Sequence, residues 1–569
     1  MSEHSSSGRW QLVQAATIAV AVLVAYLPAL DAGFIWNDDD LTAILALIRQ
    51  RGLSAIWFSS EAFNYWPVTW TSYWLEHQVF GNDPATGLPF PTSYHVVNVI
   101  VHALSCLVLW RILEGLEVPG GWLIAAVFAV HPVNVESVAW ITQRKNVLAL
   151  FFYLLTLHQY LSYEQTGRRS RMLVAVTCYL LALLSKGSVV SLPLVLLVLA
   201  WWRRGRVTRS DLLTSVPFLV MAAVMSGVEI WFQHTRAIGN ETIRDAGLAE
   251  RIMATGPIAW FYLQKSLMPW NLSFVYPLWR FDTTTVSQWL PLGAGLAVLL
   301  ALVWATRQGM SRAPMAAVLY TLLCLAPFLG LVDIYYFRYS LVADHYLYVA
   351  LPGILALVVG SICQATSRLS WDRTSRAAAS IAIVTLLAGL SWQQATIYTS
   401  PQRLWQDTLT KNRGCWLAHN QLGNLVGSSD KWELANDHYR EALKLSRRQF
   451  GTGHVETARI HNNLGTMLGQ ASRQRSDSIL MDEAIEHLET ACRIDPDRGV
   501  YVESLAGVLQ ETGRVERAVA HLNEFLKRHP DASDTWLVLA RCLDETGQTV
   551  DALNARRRAR IVDPRRQQP

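Results

Sequence analysis

Long apolar runs fill most of the first 395 residues, and they restrict the fold of this chain more than any other feature. About 20 apolar residues in a helix cross the hydrocarbon core of a bilayer, which is about 30 Å thick. About eleven runs read as crossings on this basis. They are 12–30, 95–113, 122–140, 146–163, 172–184, 189–202, 212–232, 289–305, 313–331, 343–362 and 377–393. Because backbone polar groups inside lipid need internal partners, we predict an all-α, polytopic bundle.

Composition supports a membrane protein. The 569 residues are 51% hydrophobic and only 16% charged, unlike an ordinary soluble multidomain chain. Basic residues outnumber acidic ones only slightly, 49 to 44, and many lie in short clusters between apolar runs, so we predict no nucleic-acid partner. The seven cysteines form no CxxC pair and no Cys/His cluster, which indicates neither a zinc site nor a disulfide framework.

The basic clusters also predict a topology. Four of them, within 168–171, 203–209, 307–312 and 368–376, fall on one side of the eleven-span arrangement, which the positive-inside tendency makes cytoplasmic. The first run has no convincing cleavage site and is expected to stay as a helix, with the N-terminus cytoplasmic. We leave the apolar stretch 253–268 as a re-entrant or interfacial segment.

The same parity places the long first loop (31–94), the connection 131–145, the turn at Lys186 and the C-terminal region on the outer side of the membrane. No nuclear or mitochondrial signal is present, and we predict a bacterial inner membrane with the C-terminal region in the periplasm.

A repeat replaces the apolar pattern from Trp416 onward. Small residues and prolines recur at a spacing of 34, the period of tetratricopeptide helix pairs. The pairs are Ala506/Ala540, Gly513/Gly547, Ala518/Ala552 and Pro530/Pro564. Two more copies precede these pairs in the chain, at 423–442 and 465–496, and the second has an insertion near 470–476. We therefore predict a membrane domain (1–395), a link (396–413) and an α-solenoid of about four repeats (414–569), whose small residues serve packing.

Three successive carboxylates, Asp38, Asp39 and Asp40, follow the end of the first apolar run. Their mutual repulsion can raise the pKa of one of them, and a carboxylate at the mouth of a membrane cavity suits a general base that takes a proton from a hydroxyl. An ordinary acidic turn or helix N-cap before Leu41 explains them equally well.

Ionisable residues also gather in the second outward connection, at His131, Glu136, Arg144 and Lys145. Because such groups are costly between membrane spans, they are candidates for function. Arg144 offers a bidentate fork and Lys145 a point charge to a phosphate. The alternative is snorkelling at a helix end, which their place on the outward side disfavours.

Two further positions complete the candidates. Lys186 is a single base on an outward turn, and Asp344-His345 precedes the second-last span. Both could equally be satisfied helix ends. A lone His beside an Asp is a weak metal signal, so a divalent metal is compatible but not indicated, and we predict no cofactor. The chain has no phosphate-binding P-loop, H-E-x-x-H helix or G-x-S-x-G elbow.

Together these motifs resemble the transmembrane and tetratricopeptide repeat O-mannosyltransferase-like proteins, relatives of protein O-mannosyltransferases with the GT-C membrane glycosyltransferase fold. The motifs are Trp36-Asn37-Asp38-Asp39, Trp66-Pro67-Val68-Thr69, Tyr94-His95-Val96-Val97-Asn98 with His102-Ala103-Leu104, His131-Pro132 with Glu136 and Arg144, Ser185-Lys186, and Asp344-His345-Tyr346-Leu347-Tyr348. The chain departs from the family pattern at Asn37, where an acid is expected, and at Gly187 and Asp344-His345, where Ser-Lys-Glu and Glu-Arg are more usual.

The resemblance implies an inverting transfer of one sugar from a polyprenyl-phosphate donor to a hydroxyl acceptor on the outer face of the membrane. Mannose is the first candidate for this sugar. It implies that Asp38 and Asp39 supply the base and that Glu136 orients the acceptor or Arg144. Arg144 and Lys186 would steady the departing lipid phosphate, whose charge grows in the transition state. Lys145, His131 and His345 complete the predicted phosphate-binding set.

Two other functions fit the same sequence. The chain could be a membrane-anchored scaffold whose repeats assemble other envelope proteins, or a transporter of a lipid-linked sugar. A transporter would spread ionisable residues along its spans, whereas here they cluster at one membrane face. In the enzyme reading, the repeats bind the acceptor polypeptide or a partner protein.

Overall fold

The structure is a computed structural model that describes residues 2–84, 86–239, 243–369, 371–427 and 431–562. Regular secondary structure in these ranges is helical, with a single isolated β-bridge between Asn82 and Pro89. The predicted all-α class is confirmed. The chain divides into two compact units between Leu404 and Trp405.

Seventeen α-helices form the first unit or end just past it. They are α1 (Ser2–Leu30), α2 (Asp39–Arg51), α3 (Ser54–Trp57), α4 (Pro67–Phe80), α5 (Pro91–Gly115), α6 (Gly121–Ala129), α7 (Val135–Ala139), α8 (Arg144–Thr166), α9 (Arg169–Ser185), α10 (Leu192–Arg204), α11 (Arg209–Phe232), α12 (Leu248–Leu267), α13 (Leu290–Arg307), α14 (Ala313–Leu325), α15 (Leu351–Arg368), α16 (Arg373–Ile397) and α17 (Pro401–Lys411). The last of these covers much of the predicted link.

Seven helical stretches of the described residues are long and apolar enough to cross a membrane. They are Arg9–Leu30, Pro91–Gly115, Gly187–Arg204, Arg209–Ile238, Val286–Arg307, Leu351–Arg368 and Arg373–Ile397. A pair bent by 49°, Gly121–Ala129 with Pro132–Ala139, raises the number to eight if it forms one broken span. About eleven crossings were predicted. Part of the difference is length, because α9 and α14 have only 17 and 13 residues. The apolar helices identify an integral membrane protein.

The long first loop is not an open excursion, because its helices have their own core. Apolar side chains of α2 and aromatic side chains of α4 pack together and also reach Ile141. Tyr73 strengthens this contact, because its hydroxyl donates to the Ile141 carbonyl at 2.7 Å. The loop is thereby fixed against the short 3₁₀ turn Ile141–Gln143, just before α8.

Helix α5 packs against α1, α6 and α8. Its buried His102 contacts the Tyr348 hydroxyl through Nδ1 at 2.7 Å and the Ala129 carbonyl through Nε2 at 3.0 Å. A histidine of the predicted motif thus ties α5 to the chain segment after Asp344. This contact serves the fold.

The second unit contains four helix pairs, one for each predicted repeat. They are α18 (Trp416–Gly427) with α19 (Trp432–Phe450), α20 (Val455–Arg475) with α21 (Ser478–Ile494), α22 (Gly499–Glu511) with α23 (Val515–Arg528), and α24 (Ser533–Glu545) with α25 (Thr549–Val562). The insertion near 470–476 lengthens α20 to 21 residues. Pro564, part of the predicted period, lies outside the described residues.

Small residues let the paired helices approach closely, as predicted. A Cβ atom on Gly423 would lie 2.8 Å from Cε1 of Tyr439, and one on Gly465 would lie 2.7 Å from Cγ of Leu488. Two histidine pairs occupy equivalent positions of the first two repeats. The Nδ1 atoms of His419 and His438 are 3.1 Å apart, and those of His461 and His487 are 2.8 Å apart.

Candidate functional site

The first predicted carboxylate, Asp38, is completely buried where the first loop meets the Ile141–Gln143 turn. Its Oδ1 accepts from the Thr142 amide at 2.9 Å and from the Thr142 hydroxyl, and its Oδ2 accepts from the Ile35 amide at 2.9 Å. Burial raises the pKa of Asp38 to about 6, against the lowering effect of these hydrogen bonds. Asp38 therefore fastens the loop to the turn.

Trp36, two residues earlier, has a φ of 44°, in the left-handed region. A non-glycine residue there costs about 1–2 kcal/mol, which surrounding contacts must offset. The Trp36 ring lies 5.5 Å, centroid to centroid, from Trp140, Phe274 and Tyr339. These aromatic contacts hold the strained backbone beside Asp38.

The other two carboxylates of the acidic motif differ in their surroundings. Asp39, at the start of α2, is exposed. Asp40 is partly buried, which raises its pKa, and the positive charge of Lys145 opposes that rise. The structure thus brings Asp38 and Asp40 toward Lys145 and leaves Asp39 at the surface.

Lys145, at the start of α8, is only 7% exposed. Its Nζ lies 4.7 Å from the ring centroid of Trp66 and 5.7 Å from that of Trp140. Carboxylates of four residues attract it, namely Asp40, Asp38, Glu136 and Glu229. Within the described ranges it has no hydrogen bond or close ion pair, so its ammonium group is available to an anion.

The second lysine, Lys186, approaches the same place from the turn after α9. Its Nζ donates to Oδ1 of Asn146 at 2.6 Å, and Nδ2 of Asn146 donates to the His345 carbonyl at 3.3 Å. Lys145 and Lys186 are near enough to repel each other. A lysine from the start of α8 and a lysine from the turn after α9 therefore converge.

Glu136 and His345 contact each other close to the two lysines. The His345 amide donates to Oε2 of Glu136 at 2.9 Å, and its Nδ1 lies 3.0 Å from Oε1. The Tyr276 hydroxyl donates to Asp344 at 2.8 Å. These contacts fix the 3₁₀ turn Asp344–Tyr346 against α7.

The guanidinium of Arg144 is already bound by other protein groups. Its guanidinium donates to Glu76 Oε2 at 2.5 Å, to Asn98 Oδ1 at 2.8 Å and to the Tyr94 carbonyl at 2.7 Å, and it is 1% exposed. This residue braces α4, α5 and α8. Its predicted phosphate contact stays a prediction, which the structure does not favour.

His131 is similarly occupied. Its Nε2 lies 3.1 Å from the Ser266 carbonyl, and its Nδ1 accepts from the Val133 amide at 3.4 Å. Both ring nitrogens thus have protein partners, and the residue caps the turn before α7. Its predicted role toward a phosphate is untested.

Sequence reasoning missed two acids. Glu229 of α11 acts on both lysines, and Glu76 of α4 pairs with Arg144. An acid inside an apolar run was a usable signal for Glu229, because intramembrane ionisable groups are usually functional. Glu76 lies in an aromatic loop helix and gave no comparable signal. Among the described residues, no three His, Cys, Asp or Glu side chains converge as metal ligands.

Comparison with protein families identifies the C-terminal repeats. The tetratricopeptide repeat family matches residues 415–497, and a second tetratricopeptide repeat model matches residues 499–542. These two matches cover the first three helix pairs and most of α24. The predicted repeat class is confirmed.

Curated relatives extend over the membrane unit as well. A protein O-mannosyl-transferase of Caenorhabditis elegans is 22% identical over 77% of this chain and 64% of its own length, and the mouse protein O-mannosyl-transferase TMTC3 is 22% identical over 96% and 64%. The mouse protein O-mannosyl-transferase TMTC2 is 35% identical over 25% of this chain and 18% of its own length. The chain thus spans 64% of the length of the first two relatives. These similarities confirm the resemblance found in the motifs.

Proposed function

We propose that this chain is a membrane glycosyltransferase that moves one sugar from a polyprenyl-phosphate donor to a hydroxyl of a protein. Mannose is the first candidate for this sugar. The names of its relatives support the reaction class. The observation that carries the proposal is that the Lys145 and Lys186 side chains converge and that the Asp38 and Asp40 carboxylates lie near Lys145. Cations for a phosphate and a base for a hydroxyl are thus close together.

The reaction needs both kinds of group. The acceptor oxygen attacks the anomeric carbon while the bond from that carbon to the phosphate oxygen breaks, and the acceptor proton passes to a carboxylate. The leaving polyprenyl phosphate gains negative charge as its bond to the sugar breaks. Preplaced ammonium groups stabilise this growing charge more than the ground state, which lowers the barrier. One displacement of this kind inverts the anomeric centre.

Of the three adjacent carboxylates, Asp40 is best placed to act as the base. Both oxygens of Asp38 already accept hydrogen bonds from Ile35 and Thr142, and Asp39 is exposed. Asp40 is partly buried and faces the charge of Lys145. In this proposal Asp38 positions the loop, and Asp39 lies outside the reacting groups.

The proposed setting is the outer face of a bacterial inner membrane. The four basic clusters support a cytoplasmic N-terminus and an outward-facing first loop. The tetratricopeptide repeats would then lie in the periplasm and bind the acceptor polypeptide or a partner protein. This arrangement places the donor phosphate, the acceptor and the repeats on the same side of the bilayer.

The test is sugar transfer by the purified full chain in lipid nanodiscs, with radiolabelled polyprenyl-phosphate mannose and other monosaccharide donors. Asp40→Asn should lower the rate about 10²–10⁴-fold with KM for the donor little changed, because a general base is lost. Asp39→Asn is the matched control and should keep most of the activity.

Two results would contradict the proposal. Loss of transfer in Asp39→Asn with an active Asp40→Asn would assign the base to Asp39, one of the two carboxylates that the family resemblance implied. No transfer by the wild type from any donor, with repeats that still bind a protein, would favour the scaffold.

A further inference from the structure

Gly187, the residue after Lys186, has no side chain, and the end of the Glu229 side chain occupies the space beside it. A Cβ atom at Gly187 would lie 3.2 Å from Cγ and Oε2 of Glu229 and 3.3 Å from its Cδ. Such contacts are tighter than nine in ten Cβ contacts. A side chain at position 187 and the present Glu229 side chain would therefore compete for one space.

Glu229 reaches this place from α11, three residues before the helix ends. Its carboxylate attracts both Lys186 and Lys145, and the side chain also approaches Gln233 and Trp66. A carboxylate from a distant helix is thus placed against the backbone next to Lys186. Tertiary packing therefore decides how close Glu229 lies to the lysines.

The two lysines need such a carboxylate. They are only 7% and 8% exposed and repel each other. Like charges removed from water are costly unless opposite charge or hydrogen-bond acceptors lie beside them. Asn146, the hydrogen-bond partner of Lys186, is neutral, and Glu136, which also attracts both lysines, is engaged by the His345 amide. Glu229 supplies negative charge that the turn after α9 lacks.

We propose that Glu229 is a positioning residue for the donor phosphate, because its carboxylate supplies negative charge beside Lys186 at the point where the phosphate binds. This inference rests on the proposed function and adds a residue of α11 to the site. Glu229 itself neither gives nor takes a proton in the reaction. It reduces the repulsion between Lys145 and Lys186, so that both ammonium groups face one phosphate.

The first measurement is equilibrium binding of radiolabelled polyprenyl phosphate, without a sugar, to the full chain in nanodiscs. Glu229→Ala should weaken binding at least about tenfold, since two buried lysines would lose a nearby negative charge that offsets their repulsion. Glu229→Gln keeps the shape of the side chain, should weaken binding less, and guards against a folding defect in the alanine variant. Glu250→Gln, an acid of the first turn of α12, is the control.

The second measurement moves the carboxylate from position 229 to position 187. The φ angle of Gly187 is not in the left-handed region, so its backbone accepts a side chain. Gly187→Glu alone should weaken binding, because two acidic side chains would compete for one space. Gly187→Glu combined with Glu229→Ala should recover part of the lost affinity. In transfer assays, the donor KM should change more than kcat.

The outcomes separate this inference from the proposed function. A wild type that binds no polyprenyl phosphate overturns the proposed function and this inference with it. A wild type that binds, with Glu229→Ala and Glu229→Gln equally tight, overturns only the role of Glu229. Tighter binding in both Glu229 variants also overturns it, because Glu229 would then only repel the phosphate.

Discussion

The guanidinium of Arg144 donates to the carboxylate of Glu76 at 2.5 Å, and both side chains are almost completely buried. The pair joins the start of α8 to α4 of the first loop, close to the lysine at position 145. A charge pair in this environment is costly to break, because the remaining partner stays buried without compensation. The geometry of the candidate site therefore depends on a residue that does not face it.

Arg144→Met should destabilise the membrane unit by about 3–5 kcal/mol, because Glu76 and Asn98 lose their donor. Denaturant titration of the full chain in detergent measures this change in the free energy of unfolding. The exposed pair of Arg51 and Glu61 in the same loop provides the control, and Arg51→Met should cost less than about 1 kcal/mol. Equal effects of the two changes would contradict a bracing role for Arg144.

Transfer should fall as the pH drops below about 6. Burial raises the pKa of Asp38 to about 6 and also raises that of Asp40, so both carboxylates take up protons at a higher pH than usual. A protonated Asp40 cannot accept the hydroxyl proton, and a protonated Asp38 loses part of its hold on Thr142. The pH profile of kcat/KM tests this. A rate that stays constant from pH 7 to pH 4.5 would contradict it.

Folding stability should depend on the protonation of Asp38 in the opposite direction from transfer, because the buried Asp38 favours the folded state at low pH. Its pKa is higher in the folded chain than the ordinary value of 3.8, so the folded state binds more protons between these values. Its contribution to stability is thus largest below about pH 4 and is lost as the pH rises through about 6. Unfolding free energies of the wild type and Asp38→Asn at pH 4.5 and pH 7 measure it. The variant should lack this part of the pH dependence.

The tetratricopeptide unit should respond differently to two glycine substitutions. Gly465→Ala places a methyl group 2.7 Å from Leu488 Cγ and 2.9 Å from the Ala484 carbonyl, so we expect a loss of about 1–3 kcal/mol from overpacking. Gly507, in the next repeat, has no atom within 4 Å of the same position. Gly507→Ala should stabilise its helix by about 0.5–1 kcal/mol. Hydrogen exchange of α20 and α22 in the full chain distinguishes the two.

Acid should loosen the second repeat. Burial lowers the pKa of His461 to about 3, and His487, Arg447 and Arg493 add repulsion. An unfolded His461 takes up a proton near pH 6.5, so stability is present above that pH and is lost as the pH falls below it. Exchange protection in α20 and α21, corrected for intrinsic rates, should drop about tenfold from pH 7 to pH 5. Helix α24, which has no histidine, is the internal control, and a His461→Asn chain should lose most of the difference.

The sequence predicted features that depend on local pattern. The 34-residue period and two earlier copies in their own register predicted about four repeats, and four helix pairs are present in the described residues. The acidic motif and the basic residues after it were candidates because polar groups are rare beside membrane spans. Which of Asp38, Asp39 and Asp40 faces inward was beyond the sequence, because the turn Trp36–Asp38 and the packing of α2 decide it.

Roles that depend on distant contacts were also beyond the sequence. Arg144 and Lys145 are neighbours and were expected to share a phosphate, yet Arg144 faces Glu76 and Asn98 while Lys145 faces Trp66 and Trp140. The place of Glu229 was equally hidden, because its position beside Gly187 joins residues 42 apart in sequence. Tertiary packing alone decides such contacts.

The contact between Gly187 and Glu229 also has an evolutionary consequence. Because one space holds a single acidic side chain, the two positions are expected to vary together among descendants of a common ancestor. A lineage that acquires a carboxylate at the first position should carry a short residue at the second, and the reverse should hold as well. Selection would then act on one negative charge with two possible origins, and an alignment that scores each column separately would record two unrelated losses.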